Sequence, residues 1–329
     1  MSARLLSVRD LRTWFFTDQG VARAVDGVSF HVEEGETLGI VGESGCGKTV
    51  SALSILGLQS PARIMEGSSI VFQGDELVGV PEKRLRAIRG NEISMIFQEP
   101  MSSLNPVYPV GDQIGEALRL HRGMDARSAR AEAVRLLEEV GIPAAGERID
   151  EYPHQLSGGM RQRVMIAMSL SCEPALLIAD EPTTALDVTI QAQILELLAE
   201  IRERRGMSVM LVTHDLAVVA EVCDRVVVMY AGQVVESGGV EEIFADPRHP
   251  YTRGLLNGLP AVGLGRERLI PIPGTVPSPR HWPEGCRFRE RCSQAYAPCV
   301  DAPALVELGS GKASRCWLDA SPAARDVAP

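Results

Sequence analysis

The chain has 329 residues, 45% of them hydrophobic, which is enough for a large core and for more than one domain. A formal net charge of -10 argues against a general nucleic-acid binder, because such a protein needs a cationic surface to neutralise phosphates. No apolar run approaches the roughly 20 residues of a membrane-spanning helix, and no apolar signal segment precedes the first charges. We therefore expect a protein of the reducing cytoplasm that reaches a membrane only through partners.

The N-terminal part of the chain is predicted to be rich in strands. Residues 5–41 carry apolar and polar side chains in strand-like runs separated by glycines, and further short strands are expected at 69–72 and 93–97. A helix is expected to begin at Gly47. Residues 109–171 are predicted to be mostly helical, because apolar side chains recur there at helical spacing. We interpret this last block as a helical insert.

Two fully apolar strands follow the insert, at residues 175–179 and 208–213, and a predicted helix at 189–204 connects them. This order is typical of parallel strands that are covered on both faces, so the core is predicted to be α/β. From about residue 258 the content of proline, glycine and arginine rises. Prolines exclude long helices, so a loosely structured C-terminal extension is expected.

The segment GESGCGKT follows a predicted strand and begins a predicted helix. It fits the phosphate-binding loop (P-loop) pattern G-x-x-x-x-G-K-[ST], in which glycines let backbone N–H groups converge on a phosphate at the helix N-terminus. Lys48 is expected to bridge β- and γ-phosphate oxygens, and Thr49 to offer its hydroxyl to Mg²⁺. An ordinary glycine turn with a surface lysine is the alternative. The residues expected to contact nucleotide are Gly42, Glu43, Ser44, Gly45, Cys46, Gly47, Lys48, Thr49 and Val50.

Two adjacent acids, Asp180 and Glu181, follow the apolar strand at 175–179. Two carboxylates at that position repel each other and lose solvation unless a cation compensates them. Asp180 is expected to hold Mg²⁺ through water, and Glu181 to polarise the water that attacks the γ-phosphate. Two solvated acids at a strand end are the alternative.

The segment LSGGM at residues 156–160 is a second candidate anion site. Ser157 can cap a helix, and Gly158 and Gly159 leave the first N–H groups of that helix exposed. This site cannot serve the same phosphate as the P-loop unless the helical insert folds back. A composite site between two subunits is therefore the better interpretation.

Taken together, these motifs resemble those of an ATP-binding cassette (ABC) ATPase. The resemblance spans about residues 5–250. It is carried by motifs in the family's order, namely the P-loop, Gln98 in MIFQEP, the signature LSGGM, Asp180 with Glu181, ALD at 185–187 and His214 in LVTHD.

The resemblance implies a P-loop NTPase fold with a RecA-like core, an antiparallel β subdomain and a helical subdomain at about residues 99–171. It implies a nucleotide-binding domain at 1–257, followed by a Cys-containing extension at 258–329. It also implies that two such domains pair head to tail with ATP between them. Ser157 and Gly159 would then act on the partner's nucleotide.

The resemblance further implies roles for single residues. Gln98 would sense the γ-phosphate and contribute to the Mg²⁺ shell, and His214 would contact the γ-phosphate and hold the attacking water. Asp187 would lie at the dimer seam. An aromatic residue of TWFF should stack on adenine, and the spacing to the P-loop favours Phe15 over Phe16, with core packing as the alternative.

Four further segments resemble the ATPase subunits of bacterial oligopeptide and dipeptide importers: FQEPMSSLNPVYPVGDQI, HPYTRGLLNGLP, PIPGTVPSP and the closing cysteine-containing stretch. This implies one half of an ATPase pair, expected to be a heterodimer, at the cytoplasmic face of the bacterial inner membrane. The implied partners are two transmembrane permease subunits and an extracytoplasmic peptide-binding protein, with no nucleic acid. ATP hydrolysis to ADP and phosphate would then power the import of dipeptides and oligopeptides.

Three other functions are alternatives to this one. An importer of nickel or another solute is the alternative within transport, because cassettes do not touch the cargo. A soluble cassette ATPase acting on DNA or ribosomes is disfavoured, because such chains usually carry two cassettes or a long coiled-coil insert. A P-loop kinase would leave LSGGM unexplained.

The extension contains four cysteines, Cys286, Cys292, Cys299 and Cys316. Their spacing lacks the C-x-x-C pairs of common zinc sites, yet four unpaired thiols in a polar cytoplasmic segment favour a metal site. Four thiolates suit Zn²⁺ or an iron–sulfur cluster, and the family resemblance implies a [4Fe-4S] cluster with Zn²⁺ as the alternative. Three arginines are expected to offset thiolate charge, with a solvated basic edge as the alternative: Arg287, Arg289 and Arg291.

Overall fold

The structure is a computed structural model that describes residues 4–98, 103–184, 187–259, 271–309 and 311–319. Its internal contacts divide the chain into two compact units. Unit 1 contains Glu33–Gly35 and Gly79–Leu211. Unit 2 contains Arg4–Val32, Glu36–Val78 and Val212–Pro329. The C-terminal extension therefore belongs to the unit that also holds the P-loop.

The strands, in chain order, are β1 Arg4–Thr17, β2 Gly20–Glu33, β3 Thr37–Val41, β4 Arg63–Ile64, β5 Ser69–Phe72, β6 Asp75–Glu76, β7 Ile93–Ile96, β8 Leu176–Asp180, β9 Ser208–Thr213, β10 Arg225–Tyr230, β11 Gln233–Gly239, β12 Val306–Gly309 and β13 Lys312–Ser314. The α-helices are α1 Lys48–Ile55, α2 Glu82–Ile88, α3 Val110–Arg122, α4 Ala126–Glu139, α5 Ala145–Arg148, α6 Gly158–Leu170, α7 Val188–Arg205, α8 Leu216–Val222, α9 Val240–Ala245 and α10 Pro250–Asn257. Short 3-10 helices lie at Pro153–Gln155, Arg289–Arg291 and Ala297–Val300. Within the described ranges, every helix is too short or too polar to cross a bilayer.

One sheet of unit 2 is antiparallel and has the strand order β2-β1-β5-β6, with β4 paired to β1. In the β1–β5 pair, Leu6 lies opposite Phe72 and Val8 opposite Ile70. Leu6 and Val8 are at most 1% exposed, because alternate residues of a strand point to the same face of the sheet. The predicted strand pattern of the N-terminal part is confirmed.

The second sheet of unit 2 has the order β12-β13-β11-β10-β3. β3 runs parallel to β10 and is buried along its whole length, as expected for a parallel strand covered on both faces. β13 pairs antiparallel with β11, so the extension adds β12 and β13 to this sheet. The expectation of a loosely structured extension is wrong for this part, because prolines interrupt helices without preventing short strands at a sheet edge.

Unit 1 contains the predicted helical insert and the strand order β9-β8-β7, in which β7 and β8 are parallel. The helix predicted at 189–204 corresponds to α7, and the helical block predicted at 109–171 corresponds to α3 to α6. Both predictions are confirmed. The helices and strands of unit 1 share one apolar core, whose buried members include Ile114, Leu118, Leu136, Leu137, Val164, Ile166, Leu170 and Leu177.

Candidate nucleotide site

The P-loop of unit 2 connects the buried strand β3 to the first turn of α1. Its backbone needs glycine at two close approaches. A Cβ on Gly42 would lie 2.2 Å from the carbonyl oxygen of Met229, and one on Gly47 would lie 2.5 Å from that of Ala24. Gly47 also has a left-handed φ of 103°, which favours glycine. The loop conformation is therefore set by tight packing against neighbouring backbone.

Lys48 is the single cationic side chain of residues 42–50 and is only 5% exposed. Its Nζ donates to the carbonyl oxygens of Gly42 at 2.6 Å and Glu43 at 3.2 Å. The fully buried Cys46 keeps a neutral thiol, because burial raises its pKa. The loop thus carries one buried cation, Lys48, held against its own backbone.

The two acids predicted at the end of β8 lie in different surroundings in unit 1. Asp180 is 1% exposed, and Glu181 is half-buried. Gln98 Nε2 donates to Glu181 Oε2 at 2.9 Å, and Thr184 Oγ1 donates to the same oxygen at 2.9 Å. Glu181 has a φ of 47°, a left-handed conformation that is strained for a residue with a side chain and that often marks functional sites.

The predicted signature forms the start of α6 in unit 1. Ser157 is the N-cap residue, and its side chain accepts from the N–H of Met160 at 3.3 Å. Ser157 and Gly158 are exposed. A Cβ on Gly159 would lie 3.2 Å from Ile190 Cγ2, so glycine lets the first turns of α6 and α7 approach closely. The helix N-terminus keeps its dipole directed at the surface, where an anion can approach.

Asp187 and His214 occupy the ends of regular elements. Asp187 is the N-cap residue of α7 and accepts from the N–H of Ile190 at 3.0 Å. His214 is exposed and directly follows β9. The other two residues of the predicted ALD motif, Ala185 and Leu186, lie outside the described residues.

The two aromatic candidates for adenine stacking differ in exposure. Phe15 is half-buried in β1, whereas Phe16 is 52% exposed and has the guanidinium of Arg63 at 5.6 Å from its ring centroid. These neighbours on β1 point to opposite faces of the strand. The choice of Phe15 stays a prediction.

The cysteines of the extension are near one another in unit 2. The N–H of Cys286 donates to the carbonyl oxygen of Cys299 at 3.1 Å. Burial raises the pKa of the Cys286 and Cys292 thiols and raises that of Cys316 to about 11, and neighbouring thiolates contribute to each increase. Across the described ranges, no three or more His, Cys, Asp and Glu side chains are arranged to hold a metal ion. The predicted cluster therefore finds no support in this arrangement and stays a prediction.

The arginines of the extension have other partners than the thiolates that we expected. Arg287 pairs with Asp26, and Arg291 pairs with Glu43 of the P-loop at 2.7 Å. The expectation of thiolate compensation is wrong for these two, because carboxylates of the same unit lie within hydrogen-bonding distance of their guanidinium groups. No local sequence pattern predicts the pair of Arg291 with Glu43, because the two residues are 248 positions apart.

A second contact to the P-loop was also missed. Tyr251, from the segment HPYTRGLLNGLP, is fully buried in α10 and accepts from the N–H of Glu43 at 2.8 Å. A hydrogen bond between residues 208 positions apart leaves no trace in local sequence.

Comparison with protein families gives two matches. Residues 25–184 match the family described as ABC transporter. Residues 235–299 match the family described as the C-terminal region of oligopeptide/dipeptide transporters.

Comparison with single proteins agrees with these matches. The chain is 52% identical over 317 residues to the oligopeptide transport ATP-binding protein AppD of Bacillus subtilis, covering 95% of this chain and 96% of that protein. It is 51% identical over 323 residues to the dipeptide transport ATP-binding protein DppD of Escherichia coli, covering 98% of each. Among solved structures, it is similar to the dimeric ATP-binding cassette MJ0796 bound to ADP and Pi, with a TM-score of 0.65, 26% identity, and coverage of 71% of this chain and 98% of that one. The predicted fold class is confirmed.

Proposed function

The chain belongs to the oligopeptide/dipeptide family of ABC transporter ATP-binding subunits, and on that premise we propose that it hydrolyses ATP to drive peptide uptake through partner permease subunits. The observation that carries the proposal is that one chain has two helix N-termini, each of which can bind an anion. One begins α1 after the P-loop, and the other begins α6 after Ser157. Two such sites in one subunit are what a nucleotide shared between two subunits requires.

We assign the nucleotide contacts to the P-loop. Lys48 and the loop N–H groups bind the β- and γ-phosphates, and Phe15 stacks on adenine. The contact set in the loop is Gly42, Glu43, Ser44, Gly45, Cys46, Gly47, Lys48, Thr49 and Val50.

Mg²⁺ suits the oxygen donors that the chain offers near these motifs. Thr49, Gln98 and Asp180 would hold it, and their hydroxyl, amide and carboxylate oxygens are the hard ligands that this ion prefers. When bound, the ion would neutralise charge on the transferred phosphoryl group. Glu181 acts as the base that orients the attacking water, and His214 contacts the γ-phosphate.

The pairing partner is a second, homologous ATPase subunit, so that Ser157, Gly158, Gly159 and Asp187 complete the partner's nucleotide site. The pair binds two permease subunits at the cytoplasmic face of the bacterial inner membrane and is supplied by an extracytoplasmic peptide-binding protein. We assign residues 1–257 to the nucleotide-binding domain and 258–329 to the extension. The match of the extension to peptide transporters supports peptides as the cargo over nickel or another solute.

The test is purification of the tagged full chain from membranes of its host, followed by ATPase and uptake assays in proteoliposomes. Two apolar permease subunits should co-purify, and uptake of a labelled tripeptide should require ATP and exceed uptake of nickel. Lys48→Ala should lower ATPase activity at least about 100-fold, whereas the exposed Lys83→Ala in α2 should not. Recovery of ribosomes or DNA in place of permeases would contradict the proposal.

The predicted [4Fe-4S] cluster, with Zn²⁺ as its alternative, stays a separate prediction about the extension. Four thiols in one unit support it, although no metal-binding group forms within the described ranges. Iron, zinc and acid-labile sulfide analysis of the anaerobically purified chain decides between them. Equal amounts of iron and sulfide would establish the cluster, and zinc alone would establish a Zn²⁺ site. If the chain contains no iron and no zinc, the prediction of a metal in the extension is wrong.

A further inference from the structure

The C-terminal extension contacts the P-loop through one ion pair. Arg291 donates to both carboxylate oxygens of Glu43, from Nη1 to Oε2 at 2.7 Å and from Nη2 to Oε1 at 2.9 Å. Resting on the proposed nucleotide binding by this loop, we propose that Arg291 is a positioning residue that fixes Glu43 and, through Glu43, the loop that binds the triphosphate.

Arg291 itself is held in one orientation. Its side chain is only 6% exposed, and its Nε donates to the carbonyl oxygen of Pro273 at 2.7 Å. The guanidinium lies 5.6 Å from the ring centroid of Tyr230 and 6.0 Å from that of Phe288. A planar guanidinium that is stacked and bound in a fork fixes the direction of its carboxylate partner, which lysine cannot do.

Glu43 is fixed at three of its polar groups. Its side chain binds Arg291, its N–H donates to Tyr251, and its carbonyl oxygen accepts from Lys48 Nζ at 3.2 Å. Tyr251 is fully buried, and its ring packs at 4.7 Å from that of Tyr230. A continuous set of contacts therefore leads from the extension to the lysine of the P-loop.

The charge of Glu43 explains why its partner matters for an anionic ligand. A carboxylate in the second position of a phosphate-binding loop repels a triphosphate unless a cation neutralises it. Arg291 supplies that positive charge from outside the P-loop, whose own cation, Lys48, donates to backbone carbonyl oxygens. Loss of Arg291 should thus both free the loop and add repulsion, whereas loss of the Glu43 charge should free the loop but leave a cation that attracts the triphosphate.

This asymmetry defines the test, which uses the full chain and the dissociation constant of Mg-ATP measured by displacement of a fluorescent ATP analogue. Arg291→Gln should raise the dissociation constant about tenfold, and Glu43→Gln by about twofold or less. The double variant Arg291→Gln with Glu43→Gln should recover most of the affinity lost in Arg291→Gln. Arg291→Lys should recover part of it, because it restores the charge without the fork.

The matched control is Arg289→Gln in the same 3-10 helix, since Arg289 has no salt bridge within the described ranges. Urea midpoints of all variants separate loop positioning from folding. If Arg291→Gln and Glu43→Gln lower the urea midpoint equally while the folded protein binds ATP within about twofold of wild type, the pair is only structural and the inference is overturned. If the wild-type chain itself binds no ATP, the proposed function fails instead.

Discussion

Gln98 and Thr184 donate to the same carboxylate oxygen of Glu181, each at 2.9 Å. Two side-chain donors to Oε2 and a left-handed backbone conformation therefore fix the position of the Glu181 carboxylate. Two donors stabilise the ionised carboxylate and fix its direction, which is what a residue that orients a water molecule needs.

Glu181→Gln is expected to lower the ATPase rate of the paired subunits by at least about 100-fold while leaving ATP binding close to that of wild type. The amide keeps the size of the side chain but cannot accept a proton from the attacking water. The variant should accumulate an ATP-bound dimer, measured by size-exclusion chromatography with bound nucleotide. Rapid steady-state turnover would remove Glu181 from the mechanism.

The matched control for this change is Glu173→Gln. Glu173 lies in the same unit, has a similar φ of 51° and forms an ion pair with Arg122 at 3.0 Å. The Glu173→Gln variant should be slightly less stable than wild type and should keep the wild-type ATPase rate. An equal loss of turnover in both variants would point to folding as the cause.

Local patterns were sufficient for the elements that position the site. The apolar run before Asp180 and the helical spacing from 189 to 204 are properties of short windows, and both elements form as predicted. The addition of β13 to β11 and the Arg291–Glu43 pair were missed, because both depend on long-range pairing. Arg291 and Glu43 are 248 positions apart, and no window of sequence contains both.

Gln98→Ala is expected to lower kcat about tenfold, because Glu181 keeps one donor and can rotate away from the direction in which it orients water. Thr184→Ala removes the other donor and should act in the same direction. If the two donors act by holding one carboxylate, the double variant should be less than additive in a cycle of kcat values. Fully additive effects would show that the two residues act independently.

Ser157→Ala is expected to lower the free energy of unfolding by about 1 kcal/mol, because α6 loses its N-cap. It should also lower the ATPase rate of the assembled pair, since its hydroxyl and helix N-terminus serve the partner's nucleotide. The matched control is Asp125→Ala, which removes the N-cap of α4 together with its two backbone hydrogen bonds and one from the Ser128 hydroxyl. Equal stability losses with a rate loss in Ser157→Ala alone would support the composite site, and equal rates in both variants would contradict it.

The buried His249 predicts a loss of stability in mild acid. Its Nδ1 accepts from the N–H of Tyr251 at 3.0 Å, and burial lowers its pKa from 6.5 to about 3. The unfolded chain therefore binds a proton that the folded chain excludes, so stability falls as pH falls from about 6.5 towards 3, by at most about 1.4 kcal/mol per pH unit. Asp319 favours the imidazolium, and Arg315 and Arg253 oppose it.

His249→Gln should flatten this dependence of stability on pH. The amide oxygen can still accept the hydrogen bond from the N–H of Tyr251, and the amide does not titrate in this pH range. Free energies of unfolding in urea, measured between about pH 5 and pH 7.5, give the comparison. Burial raises the pKa of neighbouring Glu236, which has the opposite effect on the slope, so the difference between wild type and variant isolates the imidazole. The exposed His281→Gln is the control, and a slope as steep in His249→Gln as in wild type would assign the acid sensitivity to other groups.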